Sequence, residues 1–145
     1  MEHIESKNHP DYLTAVCRGI IEPGILPLTN ALQSIGCNPL ASCEGHIKPK
    51  SWFSWFIQRE PVKPYVLFYA SVDLAKEINR VIENFRTWKS FYNYRLTGYF
   101  HPKNGALIWV IEPCDVRLKA GNANRKLINA DIANLANELL RAFNN

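Results

Sequence analysis

The stretch that most restricts the fold is Tyr65-Val66-Leu67-Phe68-Tyr69-Ala70. Six uncharged residues, mostly aromatic or aliphatic, suit a central strand covered on both faces. Asp73 follows as a candidate helix cap. Leu74, Ile78, Val81, Ile82 and Phe85 then form one apolar stripe, with Lys76, Glu77, Arg80 and Glu83 facing out. An interior strand leading into an amphipathic helix calls for a sheet with a helical layer against it.

The remaining chain supplies that sheet. Residues 12–22 are β-prone and read as a strand with Gly19 as a bulge, ended by Pro23-Gly24. Ile25, Leu28, Leu32 and Ile35 predict a short helix, with Pro27 in its first turn and Gly36 as its stop. Pro39–Cys43 reads as a short strand. Two strands near residues 95–100 and 106–112 flank Asn104-Gly105, a hairpin signal. A last helix starts near Asn124, with Ile128, Ile132, Leu135, Leu139 and Phe143 on one face. The order β-α-β-β-α-β-β-α predicts an α+β domain over residues 1–145, with a mixed sheet of the split βαβ kind and a C-terminal helix. Helices one and two are expected on one sheet face, the third on the other face or beside them.

At 145 residues the chain is long enough for one substantial core. Met1 is followed by Glu2, His3 and Glu5, and no apolar run approaches membrane-spanning length, so a cytoplasmic setting is expected. Cys17, Cys37, Cys43 and Cys114 then read as free thiols. A net charge of +4 is a mild bias toward anionic partners.

Chemistry-bearing residues concentrate in Ser42-Cys43-Glu44-Gly45-His46. Gly45 permits a sharp turn at a strand end, with Ser42 and Cys43 leading into it. Glu44 and His46 are the candidate catalytic residues, a carboxylate and an imidazole suited to proton transfer near neutral pH. The alternative is a turn in which Glu44 caps backbone donors. Strand alternation puts Ala41 and Cys43 on one face, Leu40 and Ser42 on the other. Cys43 therefore reads as packed, not as a nucleophile. Cys37, Cys43 and His46, with Cys114, Cys17 or His101 as a distant fourth, form only one tight pair, short of the two that mark structural zinc. No metal is assigned, and no cofactor is identified.

Downstream, Trp52, Phe53, Trp55 and Phe56 lie in a proline-punctuated loop with Lys48, Lys50, Arg59 and Lys63. Rings interleaved with cations suit stacking on bases with phosphate neutralisation. Packing on the sheet, or a homodimer contact, would use the same rings. A second aromatic cluster comprises Trp88, Phe91, Tyr92 and Tyr94.

Ala41-Ser42-Cys43-Glu44-Gly45-His46 resembles the Ser-Ser-Cys-Ser-Gly-Arg loop of the small methyltransferases of tRNA wybutosine synthesis. Pro64-Tyr65-Val66-Leu67-Phe68 is similar to their Pro-Phe-Ile-Leu-His strand, and Val72-Asp73-Leu74-Ala75 to their Arg-Asp-Leu helix start. The similarity covers about residues 38–112. It implies the fold and a ligand pocket at Ser42–His46. The family's Asp-Lys-Ser-x-Lys-Gly segment has no counterpart, and His46 replaces the loop arginine, so the implication does not extend to S-adenosylmethionine or methyl transfer.

Two functions are thus expected as alternatives. One is binding of RNA or a nucleotide-like molecule at Ser42–His46, with Gly45, Trp52 and Trp55 against the ligand and Lys48, Lys50 and Arg59 on its phosphates, as in RNA-modification enzymes. The other is a non-enzymatic protein-interaction module that uses its aromatic loops.

Overall fold

A computed structural model describes residues 19, 21–45, 63–118 and 124–144. In chain order these form helix α1 (Leu26–Ser34), strands β1 (Asn38–Cys43) and β2 (Tyr65–Tyr69), and helix α2 (Val72–Trp88). Strands β3 (Tyr94–Phe100) and β4 (Leu107–Pro113), a 3-10 turn (Val116–Leu118) and helix α3 (Arg125–Phe143) follow. The strand expected over 12–22 lies mostly outside the described residues, and its described members Gly19, Ile21 and Glu22 are not in a strand.

The sheet order is β1-β2-β4-β3, and every neighbouring pair is antiparallel. Strands β2 and β3, joined through α2, run parallel with β4 inserted between them, which is the split βαβ arrangement. The sheet expected as mixed is instead antiparallel throughout the described strands, because β4 separates the two parallel strands β2 and β3. The α+β class holds, with the C-terminal helix in place.

All three helices share one sheet face. Leu28 and Leu32 of α1, Ile78, Ile82 and Phe85 of α2, and Ile128, Ile132, Leu135 and Leu139 of α3 meet Val66, Phe68, Tyr94 and Ile111 in one cluster. Helix α3 packs against both α1 and α2, while α1 lies against β1 and α2 against β3. The C-terminal helix therefore extends the first helical layer. On the opposite face Leu67, Ile108 and Val110 are buried among Leu40, Ala41, Tyr65, Tyr69 and Tyr99. Strand β2 is covered on both sides, as its apolar run predicts.

Local signals set most boundaries. Gly36 (φ 105°) ends α1, and Gly105 (φ 69°) turns the hairpin. Asn124 caps α3, its side chain accepting from the N–H groups of Lys126 and Leu127. Helix α2 is capped by Ser71, not Asp73; the Ser71 hydroxyl accepts from Leu74 N–H, and Asp73 sits in the first turn where the helix dipole favours it. Leu40 departs from the expected alternation. A bulge between Pro39 and Ala41 puts Leu40 on the same cluster as Ala41.

Candidate functional site

Ser42, Cys43, Glu44 and Gly45 are brought together at the end of β1. Ser42 pairs with Val66 and Cys43 with Tyr65. Past the bulge the alternation holds, so Cys43 shares the second sheet face with Ala41. Its thiol accepts from Gly45 N–H at 3.3 Å, and burial raises its pKa, which keeps it protonated and poorly nucleophilic near neutral pH. Cys37, buried in the helix-side core, is pushed up to about 12 for the same reason. Among the described residues no group of three His, Cys, Asp or Glu is arranged to hold a metal ion. His101 Nδ1 accepts from the backbone N–H groups of Lys103 and Asn104, tying the hairpin turn.

Glu44 faces the segment before α1. Its Oε2 accepts from Gly24 N–H at 2.8 Å, while its own N–H donates to Glu22 Oε1 at 3.2 Å. The fit is close: a Cβ on Gly24 would stand 2.5 Å from Glu44 Oε2 and 3.0 Å from Asn129 Oδ1. From the start of α3, Arg125 donates to the carbonyl of Glu44 at 2.5 Å and to that of Gly45. Gly45 takes the expected positive φ of 89° and is buried. The turn thus joins α1, β1 and α3, and the Glu44 carboxylate acts as a backbone acceptor within it. His46, Lys48, Lys50, Trp52, Trp55 and Arg59 lie outside the described residues.

A second polar centre joins α3 to the two ends of the β3–β4 hairpin. Asp131, 1% exposed, accepts from Phe91 N–H, Tyr92 N–H and the Tyr94 hydroxyl. Asp115 accepts from Asn93 N–H and from the Arg117 backbone and guanidinium. The Arg117 hydrogen bond is the main reason its carboxyl lies well below the usual carboxylate range, against the opposing effect of burial. Arg117 also donates to Phe91 O and lies over the Tyr92 ring, 5.3 Å from its centre. Sequence reasoning missed this centre. The available signal was Asp131 itself, three residues after Ile128 and four before Leu135 in an otherwise apolar stripe. A carboxylate there must find partners inside.

Apart from these inward-facing groups, several large apolar side chains face solvent. Trp88 (81% exposed), Phe91, Phe100 (72%), Val72 and Val116 are the exposed large hydrophobics among the described residues. Val72 and Trp88 are the two ends of α2, Phe91 links α2 to β3, and Phe100 ends β3. Val116 is held beside Phe91 through its neighbour Arg117. Trp88, Phe91 and Val116 therefore lie toward the end of the molecule where α2 leads into β3, and Val72 and Phe100 toward the opposite end. No helix of the described residues is long and apolar enough to cross a membrane. Compared with protein-family models, curated proteins and solved structures, the chain matches none.

Proposed function

We propose that this chain is a non-catalytic protein-binding module whose contact surface is the α2–β3 flank. The observation that carries this reading is the exposure of Trp88, Phe91 and Val116 at the end of that flank where α2 leads into β3. Isolated surface hydrophobics are ordinary, but an aromatic-rich group on one flank is the composition of an interface centre. The carboxylates with the most elaborate hydrogen bonding, Glu44, Asp115 and Asp131, bind backbone and neighbouring side chains. Three cations near the flank are also engaged: Lys89 pairs with Glu138 at 2.5 Å, Arg117 with Asp115 at 2.7 Å, and Arg95 with Glu112 at 2.8 Å. That pairing favours a protein partner over a polyanion. Free Cys37, Cys43 and Cys114 suit a reducing, cytoplasmic setting as part of the same proposal.

The test compares the full chain with a Trp88→Ser/Phe91→Ser variant as baits in nuclease-treated extract of the source cells. A protein retained at high salt by the unaltered chain and lost with the variant is the expected result. Retention unaffected by the variant overturns the reading. So does retention of RNA from untreated extract that elutes steeply with salt, which returns the nucleic-acid alternative to first place.

A further inference from the structure

The two edges of the sheet are built differently. Edge strand β1 carries Pro39, which has no N–H, and a bulge beside it, two devices that discourage pairing with another strand. Edge strand β3 has neither. Its seven residues pair with β4 in unbroken register, and its sequence, Tyr-Arg-Leu-Thr-Gly-Tyr-Phe, contains no proline.

The hydrogen-bond phase of β3 follows from its ends. Cys114 N–H donates to Asn93 O at 2.8 Å, and His101 N–H to Ala106 O at 2.7 Å. Both belong to the register that continues through the hairpin, so the odd-numbered residues Arg95, Thr97 and Tyr99 bond to β4. Leu96, Gly98 and Phe100 turn their N–H and C=O groups to the open edge. No described strand lies beyond it, and Gly98 and Phe100 are exposed.

Side chains on the helix side shape this edge. Gly98 sits opposite Trp109, whose ring covers it so closely that a Cβ would approach a ring carbon to 2.7 Å. Trp109 is fixed by its indole N–H, which donates to Ala70 O at 3.1 Å. The benzo edge of Trp109 therefore fills the space over the bare glycine and reaches the sheet margin between Leu96 and Phe100, where it can meet an apolar side chain from a neighbouring strand.

We propose that the β3 edge receives an extended segment of a partner protein as a fifth strand, bonded to the backbone of Leu96, Gly98 and Phe100, with an apolar side chain against Trp109. This rests on the protein-binding reading above and names the class of partner. A bare segment fits better than a second copy of this chain. Helix α2 lies against β3, and edge-to-edge pairing of two copies would set two such helices over strands about 5 Å apart. Packed helix axes need about 8–10 Å.

The experiment pans a phage-displayed library of random linear peptides on the full chain. Amide hydrogen exchange is then followed residue by residue with and without an enriched peptide. In the free chain the amides of Arg95, Thr97 and Tyr99 are expected to be protected, and those of Leu96, Gly98 and Phe100 to exchange fast. Peptide binding should slow the latter by about tenfold or more, a protection equivalent to roughly 1.4 kcal/mol. Phe100→Pro, which deletes one outward N–H without touching the β4 ladder, should weaken binding about tenfold. Phe100→Leu keeps the N–H and an apolar side chain, and should bind nearly as well.

Peptides that protect none of these amides, or that bind Phe100→Pro and the unaltered chain alike, overturn the edge inference. Binding mapped instead to Trp88, Phe91 and Val116 overturns it while leaving the protein-binding reading standing. Protection of the outward amides in the free chain together with a dimeric mass identifies a second copy as the occupant and overturns the partner-segment form. The same protection in a monomer means that the edge is filled from within the chain. A library that yields no binder counts against the inference as well.

Discussion

Glu44 shows how the same carboxylate reads differently as a motif and as an atom in place. Beside Gly45 it has the composition of an acid–base residue, yet its Oε2 accepts from Gly24 N–H at 2.8 Å and holds the segment before α1 to the end of β1. Two substitutions separate these roles. Glu44→Ala leaves a half-buried N–H without its acceptor and is expected to cost about 1–2 kcal/mol in urea unfolding. Glu44→Gln retains an amide oxygen that can take the same bond, and its cost should be well under 1 kcal/mol. A proton-transfer group would behave otherwise, since glutamine abolishes general acid–base chemistry as thoroughly as alanine. Equal losses of stability for the two variants would reject the anchoring role. Position by position, the sequence showed which residues congregate at this turn and that Gly45 would adopt positive φ. It could not show that the donor for Glu44 lies twenty residues earlier, because that pairing forms only when α1 packs against β1.

At the scale of elements, helix ends are set by single side chains. Ser71 Oγ accepts from Leu74 N–H at 3.1 Å and starts α2, the helix that carries Val72 and Trp88. Ser71→Ala is expected to destabilise the fold by about 1 kcal/mol. Asp73→Ala, which removes only a dipole interaction, should cost a few tenths. A chemical-denaturation series on the two variants checks the order, and a larger loss at Asp73 would restore it as the cap. The sequence reading chose Asp73 and passed over Ser71, because two capping-competent side chains lie two positions apart and only the extended backbone at Ser71 decides between them. Elements governed by local chemistry were legible: the Asn104-Gly105 hairpin, the Gly36 stop, the start of α3 near Asn124 and the apolar stripes of α2 and α3. Features that depend on pairing were not. The bulge at Leu40 exists because Pro39 pairs with Phe68 while Ala41 pairs with Leu67. The open edge of β3 exists because β4 inserts beside β2. Neither follows from periodicity, and the proposed binding flank depends on the second.

For the molecule as a whole, Asp115 and Asp131 join the sheet to the helical layer. Asp131 binds the α2–β3 link from α3, and Asp115 binds Asn93 across the foot of the hairpin. Tyr92 and Tyr94 of the helix-side cluster and the Phe91–Val116 end of the proposed flank depend on that junction keeping its shape. Its acid response follows from the state of Asp115. The carboxyl is held below its ordinary value, chiefly by the Arg117 side chain and also by the N–H groups of Arg117 and Asn93. A lowered native value means that the unfolded chain binds the proton more readily. The stabilisation is therefore complete above the unfolded value of about 4 and is lost as pH falls toward the native one. Thermal melts should show Tm of the unaltered chain falling steeply between about pH 4 and pH 2. Asp115→Asn removes the titrating group but leaves Arg117 facing a neutral amide. It should start lower near neutral pH and decline less over the acid range, so that the two curves converge. Parallel curves would show that Asp115 contributes nothing to the acid limb, and that the hairpin foot is held by Asp131 and apolar packing alone.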